Sequence, residues 1–158
     1  MNTLQLCEQL ARALQDRGWM MATAESCTGG MIAARCTDLA GSSHWFERGL
    51  VTYSNAAKSQ LLGVPADLIQ QHGAVSEPVA RAMASGAAHH AHVQVSVAVT
   101  GIAGPSGGSA DKPVGTVWFA WCVGGQLSSE CRVFDGDRAA VREATVGHAL
   151  QGLLNRLG

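Results

Sequence analysis

The stretch Trp19-Met20-Met21-Ala22-Thr23-Ala24-Glu25-Ser26-Cys27-Thr28-Gly29-Gly30-Met31-Ile32-Ala33-Ala34-Arg35-Cys36-Thr37-Asp38-Leu39 decides the fold class. Trp19 to Thr23 is short and largely apolar, as a buried strand requires. Ala24 to Gly30 is a run of small residues suited to a turn, and Met31 to Leu39 reads as a helix with Ile32 and Cys36 on its inner side. A buried strand that passes through a small-residue turn into a helix is the building unit of an α/β sheet.

The same alternation extends outward in both directions. Upstream, Leu4, Cys7, Leu10, Ala11 and Leu14 fall on one helical face, and Gly18 follows as a stop. Downstream, Trp45 to Tyr53 reads as a strand and Asn55 to Leu62 as a short helix. Pro65 opens another short helix, and Ser76 is placed to cap a helix running to about Ala91. Val93 to Val99 is a valine-rich alternating strand. Gly101 to Pro113 holds too much glycine for regular structure. Val114 to Val123 and Leu127 to Phe134 form a hairpin about Gly124-Gly125, and Arg138 to Leu157 is a final helix. The expected architecture is a three-layer α/β/α sandwich with a mixed β-sheet, formed as one domain over residues 1–158.

Composition narrows the function classes. Apolar residues make up 47% and charged residues 15%, which suits a packed core and not a disordered chain. A formal net charge of −1 gives no attraction to nucleic acid or to an anionic membrane surface. No apolar run reaches spanning length, and the start of the chain lacks a basic segment followed by an apolar block. The five cysteines are odd in number and include no CxxC pair, so reduced thiols in a cytoplasm are expected. Among eleven cations only Lys58 and Lys112 are lysines, and Tyr53 is the one tyrosine. Lysine is not a generic surface charge in this chain, which singles out each of the two.

Four constellations bear on chemistry. In Ala24-Glu25-Ser26-Cys27-Thr28-Gly29-Gly30, the N–H groups after Ser26 converge at a helix start. There they can hold an anion, either a phosphate or the oxyanion of acyl transfer, although serine and threonine at such a place also serve as plain helix caps. In Tyr53-Ser54-Asn55-Ala56-Ala57-Lys58, a buried lysine could take the proton of a serine nucleophile, with Tyr53 relaying the proton or holding the amine. A solvated surface lysine fits the same spacing. Thr100-Gly101-Ile102-Ala103-Gly104-Pro105-Ser106-Gly107-Gly108, ending at Lys112-Pro113, can form an anion-binding concavity or a mere flexible connection. It is neither a Walker loop nor a dinucleotide fingerprint. Arg138 and Arg142, one helical turn apart after Asp137, suit a phosphate or a solvated charged face. His89, His90 and His92 lack an acidic or cysteine partner at ligand spacing, and they sit at a helix end where histidine meets the dipole, so no metal is expected. His44, His72 and His148 have no readable partner for a Ser-His-Asp arrangement.

Ala24 to Gly30, Tyr53-Ser54-Asn55 with Lys58, Gly73-Ala74-Val75-Ser76-Glu77, Thr100 to Pro105 and Lys112-Pro113-Val114-Gly115-Thr116 occur in an order that is similar to the nicotinamide-nucleotide amidases, whose domain also forms the C-terminal part of CinA proteins. The resemblance covers roughly residues 5 to 155. It implies hydrolysis of nicotinamide mononucleotide to nicotinic acid mononucleotide and ammonia, with no metal and no cofactor. By position, it implies Ser26 as nucleophile, Lys58 as base and Tyr53 as their support. Cys27, Thr28, Gly29, Gly30, Thr100, Gly101, Gly104, Arg138 and Arg142 would then serve the substrate. A homodimer is in keeping with the family, and functions of the N-terminal half of full-length CinA proteins are not carried over. Three other readings compete: a non-catalytic nucleotide-binding or regulatory module, a serine amidase for another small amide, and a cysteine enzyme built on Cys27.

Overall fold

The computed structural model describes residues 1–158. Its elements in chain order are α1 (Thr3–Arg17), β1 (Met21–Glu25), α2 (Met31–Thr37), β2 (Phe46–Val51), α3 (Asn55–Leu62), α4 (Ala66–His72), α5 (Glu77–Ala91), β3 (Val95–Gly101), β4 (Thr116–Val123), β5 (Gln126–Val133) and α6 (Arg138–Leu157). The five strands lie in the order β2-β1-β3-β4-β5. β2, β1 and β3 run parallel, while β4 and β5 return antiparallel. The expected mixed sheet with helices on both faces is therefore present.

Strand alternation sorts side chains to the two faces. Met21, Val97, Phe119 and Trp121 point to one face and pack with Leu10 and Leu14 of α1, Ile32 and Cys36 of α2, and Leu150 and Leu153 of α6. Ala24, Ala98 and Ala120 point to the other and meet Val79, Met83 and Ala84 of α5, with Leu62 and Ile69 beside them. The three alanines are consecutive cross-strand partners on β1, β3 and β4. Such a shallow row lets α5 approach the sheet closely enough for the buried Ser96 hydroxyl to donate to the Ala84 carbonyl at 2.6 Å. On the same side, α5 meets α3 at Gly86, where a Cβ would lie 2.0 Å from the Leu62 carbonyl oxygen. No helix is long and apolar enough to cross a membrane.

Local chemistry explains where elements begin and end. Asn2 and Gln5 form a capping box on α1, and Gly18 closes that helix in the left-handed region. Asp137 caps α6 by accepting from Ala140 N at 2.9 Å. Several expected boundaries shift, as does one cap: β2 is Phe46–Val51, not Trp45–Tyr53, and β3 runs Val95–Gly101, not Val93–Val99, so Gly101 is a strand residue. The first strand is Met21–Glu25, not Trp19–Thr23, because Trp19 N still bonds Leu14 O at the exit of α1. Ala24 and Glu25 are therefore strand residues, not turn residues. Ser76 occupies the N-cap position of α5, but its hydroxyl turns back to donate to Gly73 O at 2.8 Å and does not cap the helix.

Replacing Gly86 with alanine is expected to lower stability by about 1–3 kcal/mol through overpacking. Thermal unfolding of Gly86→Ala against wild type measures this. Because the clash falls on α3 backbone, activity should fall as well.

Candidate functional site

The parallel strands β1 and β3 end side by side, and ligands of open α/β sheets bind outside such carboxyl ends. Ser26 is the first residue beyond β1, tied there by its N–H to Val99 O at 3.1 Å. A cavity of about 320 Å³ opens directly above it. Its wall includes Ser26, Cys27 and Thr100 to Gly104, with Tyr53, Lys58 and Arg138 from other elements.

Lys58 reaches this cavity from α3. Ser54 caps that helix, accepting from Ala57 N at 3.0 Å, and so fixes the turn that carries the lysine inward. Lys58 is only 1% exposed. Its Nζ lies 3.0 Å from Ser26 Oγ, 3.0 Å from Thr52 O and 3.3 Å from Tyr53 O. None of the ion pairs in the molecule includes it. Burial without a carboxylate disfavours the ammonium form relative to the neutral amine. Burial accordingly holds the Lys58 pKa below its ordinary value. In its neutral form the amine offers a lone pair, and Ser26 Oγ lies within its reach.

The turn that presents Ser26 is held from below by Glu25. This carboxylate is fully buried and accepts from Thr28 Oγ1 at 2.5 Å, Ile32 N at 2.9 Å and Ala33 N at 3.0 Å. It satisfies the start of α2, whose N-cap residue Gly30 has no side chain to do so. Gly29 and Gly30 adopt positive φ, which lets the chain fold back over the carboxylate. The N–H groups of Cys27 and Thr28 make no backbone hydrogen bond.

A family model described as the CinA C-terminal domain matches residues 3–157. The chain belongs to the CinA C-terminal domain family. It is 55% identical over 153 residues to nicotinamide-nucleotide amidohydrolase PncC of Escherichia coli K12, covering 95% of this chain and 92% of the relative. It is 54% identical to the protein of the same name from Pseudomonas putida, covering 94% and 93%. A CinA-like protein of Geobacter sulfurreducens is 54% identical, but the match takes up only 36% of its length. Among solved structures, the competence damage-inducible protein A of Klebsiella pneumoniae superposes with a TM-score of 0.96 at 42% identity, covering 99% of this chain and 98% of that one.

In this CinA domain, the residues singled out from sequence fall into two groups. Ser26, Cys27, Tyr53, Lys58, Thr100, Gly101, Gly104 and Arg138 share the cavity. Thr28, Gly29, Gly30 and Arg142 stand outside its wall. The Thr28 hydroxyl is spent on Glu25, and Arg142 donates from Nε to Cys27 O at 3.1 Å and from Nη2 to Thr28 O at 3.2 Å. Only Arg138 faces the cavity, donating to Gly104 O at 2.9 Å and to the Tyr53 hydroxyl at 3.2 Å. Tyr53 therefore supports Lys58 through its main-chain carbonyl, while its phenol stands at the rim with Arg138. Asn55, Ala74, Val75, Ser106 and Gly107 also line the cavity without having been singled out as site residues. For Ala74 and Val75 the signal was the Gly73 to Glu77 stretch. Thr100 holds that stretch in place by donating to Ala74 O at 2.9 Å. His148 does have a partner, Glu130 at 2.9 Å, but neither residue lines the cavity.

Cys27 borders Ser26, and burial raises its thiol pKa to about 11. At neutral pH it holds almost no thiolate. Iodoacetamide at pH 7.5 is expected to label exposed Cys131 well before Cys27, as peptide mass spectrometry over time would read.

Proposed function

We propose that this chain hydrolyses the carboxamide of nicotinamide mononucleotide, giving nicotinic acid mononucleotide and ammonia, with Ser26 as nucleophile and Lys58 as base. The 55%-identical, near full-length relative is named for that amidohydrolase activity, and this chain is a hydrolase of the same family. The observation that carries the mechanism is the buried 3.0 Å contact between Lys58 Nζ and Ser26 Oγ, with no acid beside the amine.

The steps follow from that contact. Neutral Lys58 takes the Ser26 proton as Oγ attacks the carboxamide carbon. The carbonyl oxygen becomes an oxyanion held by the unpartnered N–H groups of Cys27 and Thr28. Lys58, now charged, gives its proton to the leaving nitrogen, which departs as ammonia. Water then attacks the acyl-enzyme, Lys58 takes the water's proton, and Ser26 recovers its own as the acid leaves. Each step uses protein groups and water alone.

The other end of the cavity suits the ribose phosphate. The N–H groups of Ala103, Gly104, Ser106 and Gly107 make no backbone hydrogen bond, and Arg138 lies beside them. Clustered amides and a guanidinium attract a phosphate, and binding there orients the distant amide.

Ammonia release from nicotinamide mononucleotide should fall by about 10³-fold or more in both Ser26→Ala and Lys58→Ala with the fold retained. Activity surviving in Ser26→Ala would overturn the nucleophile. Free nicotinamide should be a poor substrate, and equal turnover of the two would remove the anchoring role. The pH profile carries a sign. The active form is neutral Lys58, so kcat rises with pH through its depressed pKa and levels off below the ordinary lysine value of 10.5. A rate that falls across that limb would contradict a lysine base.

A further inference from the structure

The sequence pairs Arg138 with Arg142, yet their contacts divide them. Both donating nitrogens of Arg142 that make hydrogen bonds go to successive carbonyls, Cys27 O and Thr28 O, and no carboxylate pairs with it. A guanidinium is rigid and planar, so it holds two such carbonyls in a fixed relation. A trans peptide sends its C=O and the following N–H in opposite directions. With Cys27 C=O drawn to α6, the N–H of Thr28 is turned away from α6. Likewise Ser26 O accepts from Gly29 N at 3.0 Å, which sets the direction of the Cys27 N–H.

Glu25 grips the same turn from the other side. It takes the Thr28 hydroxyl and the N–H groups of Ile32 and Ala33, leaving those of Cys27 and Thr28 unclaimed. Arg142 on the Cys27 and Thr28 carbonyls fixes those peptide planes, while Glu25 ties the Thr28 side chain to the first amides of α2. A charge-assisted bond to the Cys27 carbonyl also polarises that peptide, which makes the Thr28 N–H a stronger donor.

We infer that Arg142 and Glu25 are positioning residues that orient and polarise the Cys27 and Thr28 amides as an oxyanion hole, and that Arg142 is not a phosphate ligand. The inference rests on the Ser26 reading above. It assigns the two arginines to different ends of the substrate. Arg142 acts on the transition state at the amide, whereas Arg138 acts on the ground state at the phosphate.

Steady-state kinetics of Arg142→Ala, Arg142→Lys, Glu25→Gln and Arg138→Ala, on nicotinamide mononucleotide and on nicotinamide riboside, separate these roles. Arg142→Ala should lower kcat about 10- to 100-fold while KM stays within about twofold. Its kcat/KM should fall by the same factor on the riboside, which has no phosphate, and affinity for nicotinic acid mononucleotide should be kept. Arg142→Lys should recover only part, because one ammonium cannot span both carbonyls, and Glu25→Gln should likewise lower kcat alone. Arg138→Ala should instead raise KM for the nucleotide only. A KM rise for the nucleotide in Arg142→Ala, with kcat kept and the riboside unaffected, would make Arg142 a phosphate ligand and overturn the inference. Unchanged kcat in folded Arg142→Ala would overturn it too. Should Arg142→Ala not fold, Arg142→Lys carries the same prediction at about a tenfold loss. A wild type that releases no ammonia counts against the amidase reading instead. Labelling of Ser26 by a fluorophosphonate, whose phosphoryl oxygen occupies the hole, then decides the positioning role. Labelling about tenfold slower in Arg142→Lys supports it, and equal labelling refutes it.

Discussion

Lys58 places an amine in the interior beside Ser26 and gives it only hydroxyl and carbonyl partners. A paired carboxylate would keep that amine charged, and so would full exposure to water. The surrounding structure avoids both. Thr52 and Tyr53, at the exit of β2, turn their carbonyls to Nζ, and the Ser54 cap starts α3 so that the lysine one turn later points back to the end of β1. Gly86 then lets α5 pack closely against the end of α3, the helix that carries the lysine.

The charged groups around the site share one habit: each bonds to polar groups of the chain and none pairs with another charge. Glu25 takes two backbone N–H groups and a hydroxyl, Arg142 takes carbonyls, Lys58 takes carbonyls and Arg138 takes the Gly104 carbonyl and the Tyr53 phenol. The ion pairs of the molecule lie elsewhere. A carboxylate facing Lys58 would raise its pKa again, so the local field is built from dipoles instead. Charge-to-dipole bonds also lock main-chain direction, and main-chain direction is what an amide donor site requires. The same bonds hold the turn together and set the direction of its peptides.

Much of the layout was legible in the residues. The alternation of apolar strands with helices carries the layers, and the small-residue turn after the first strand carries the position of Ser26. The scarcity of lysine singles out Lys58 from composition alone. The roles of Glu25, Tyr53 and Arg142 were less legible for a common reason. Each depends on which atom meets which: carboxylate on amide, carbonyl rather than phenol on amine, guanidinium on carbonyl rather than phosphate. Helical spacing puts Arg138 and Arg142 on one side of α6, but the neighbours one turn apart differ, and those neighbours come from residues more than thirty and more than a hundred positions away.

The sequence by itself determined the mixed α/β class, the order of the elements and the residue types available for chemistry, because these follow from local periodicity, turn composition and side-chain reactivity. Only the tertiary structure decided that Lys58 is buried without a counter-charge, that Glu25 lies beneath the Ser26 turn and that one arginine faces the cavity while the other holds the turn. Burial and hydrogen-bond partners are properties of segments brought together from distant parts of the chain. No pattern within a single segment carries them.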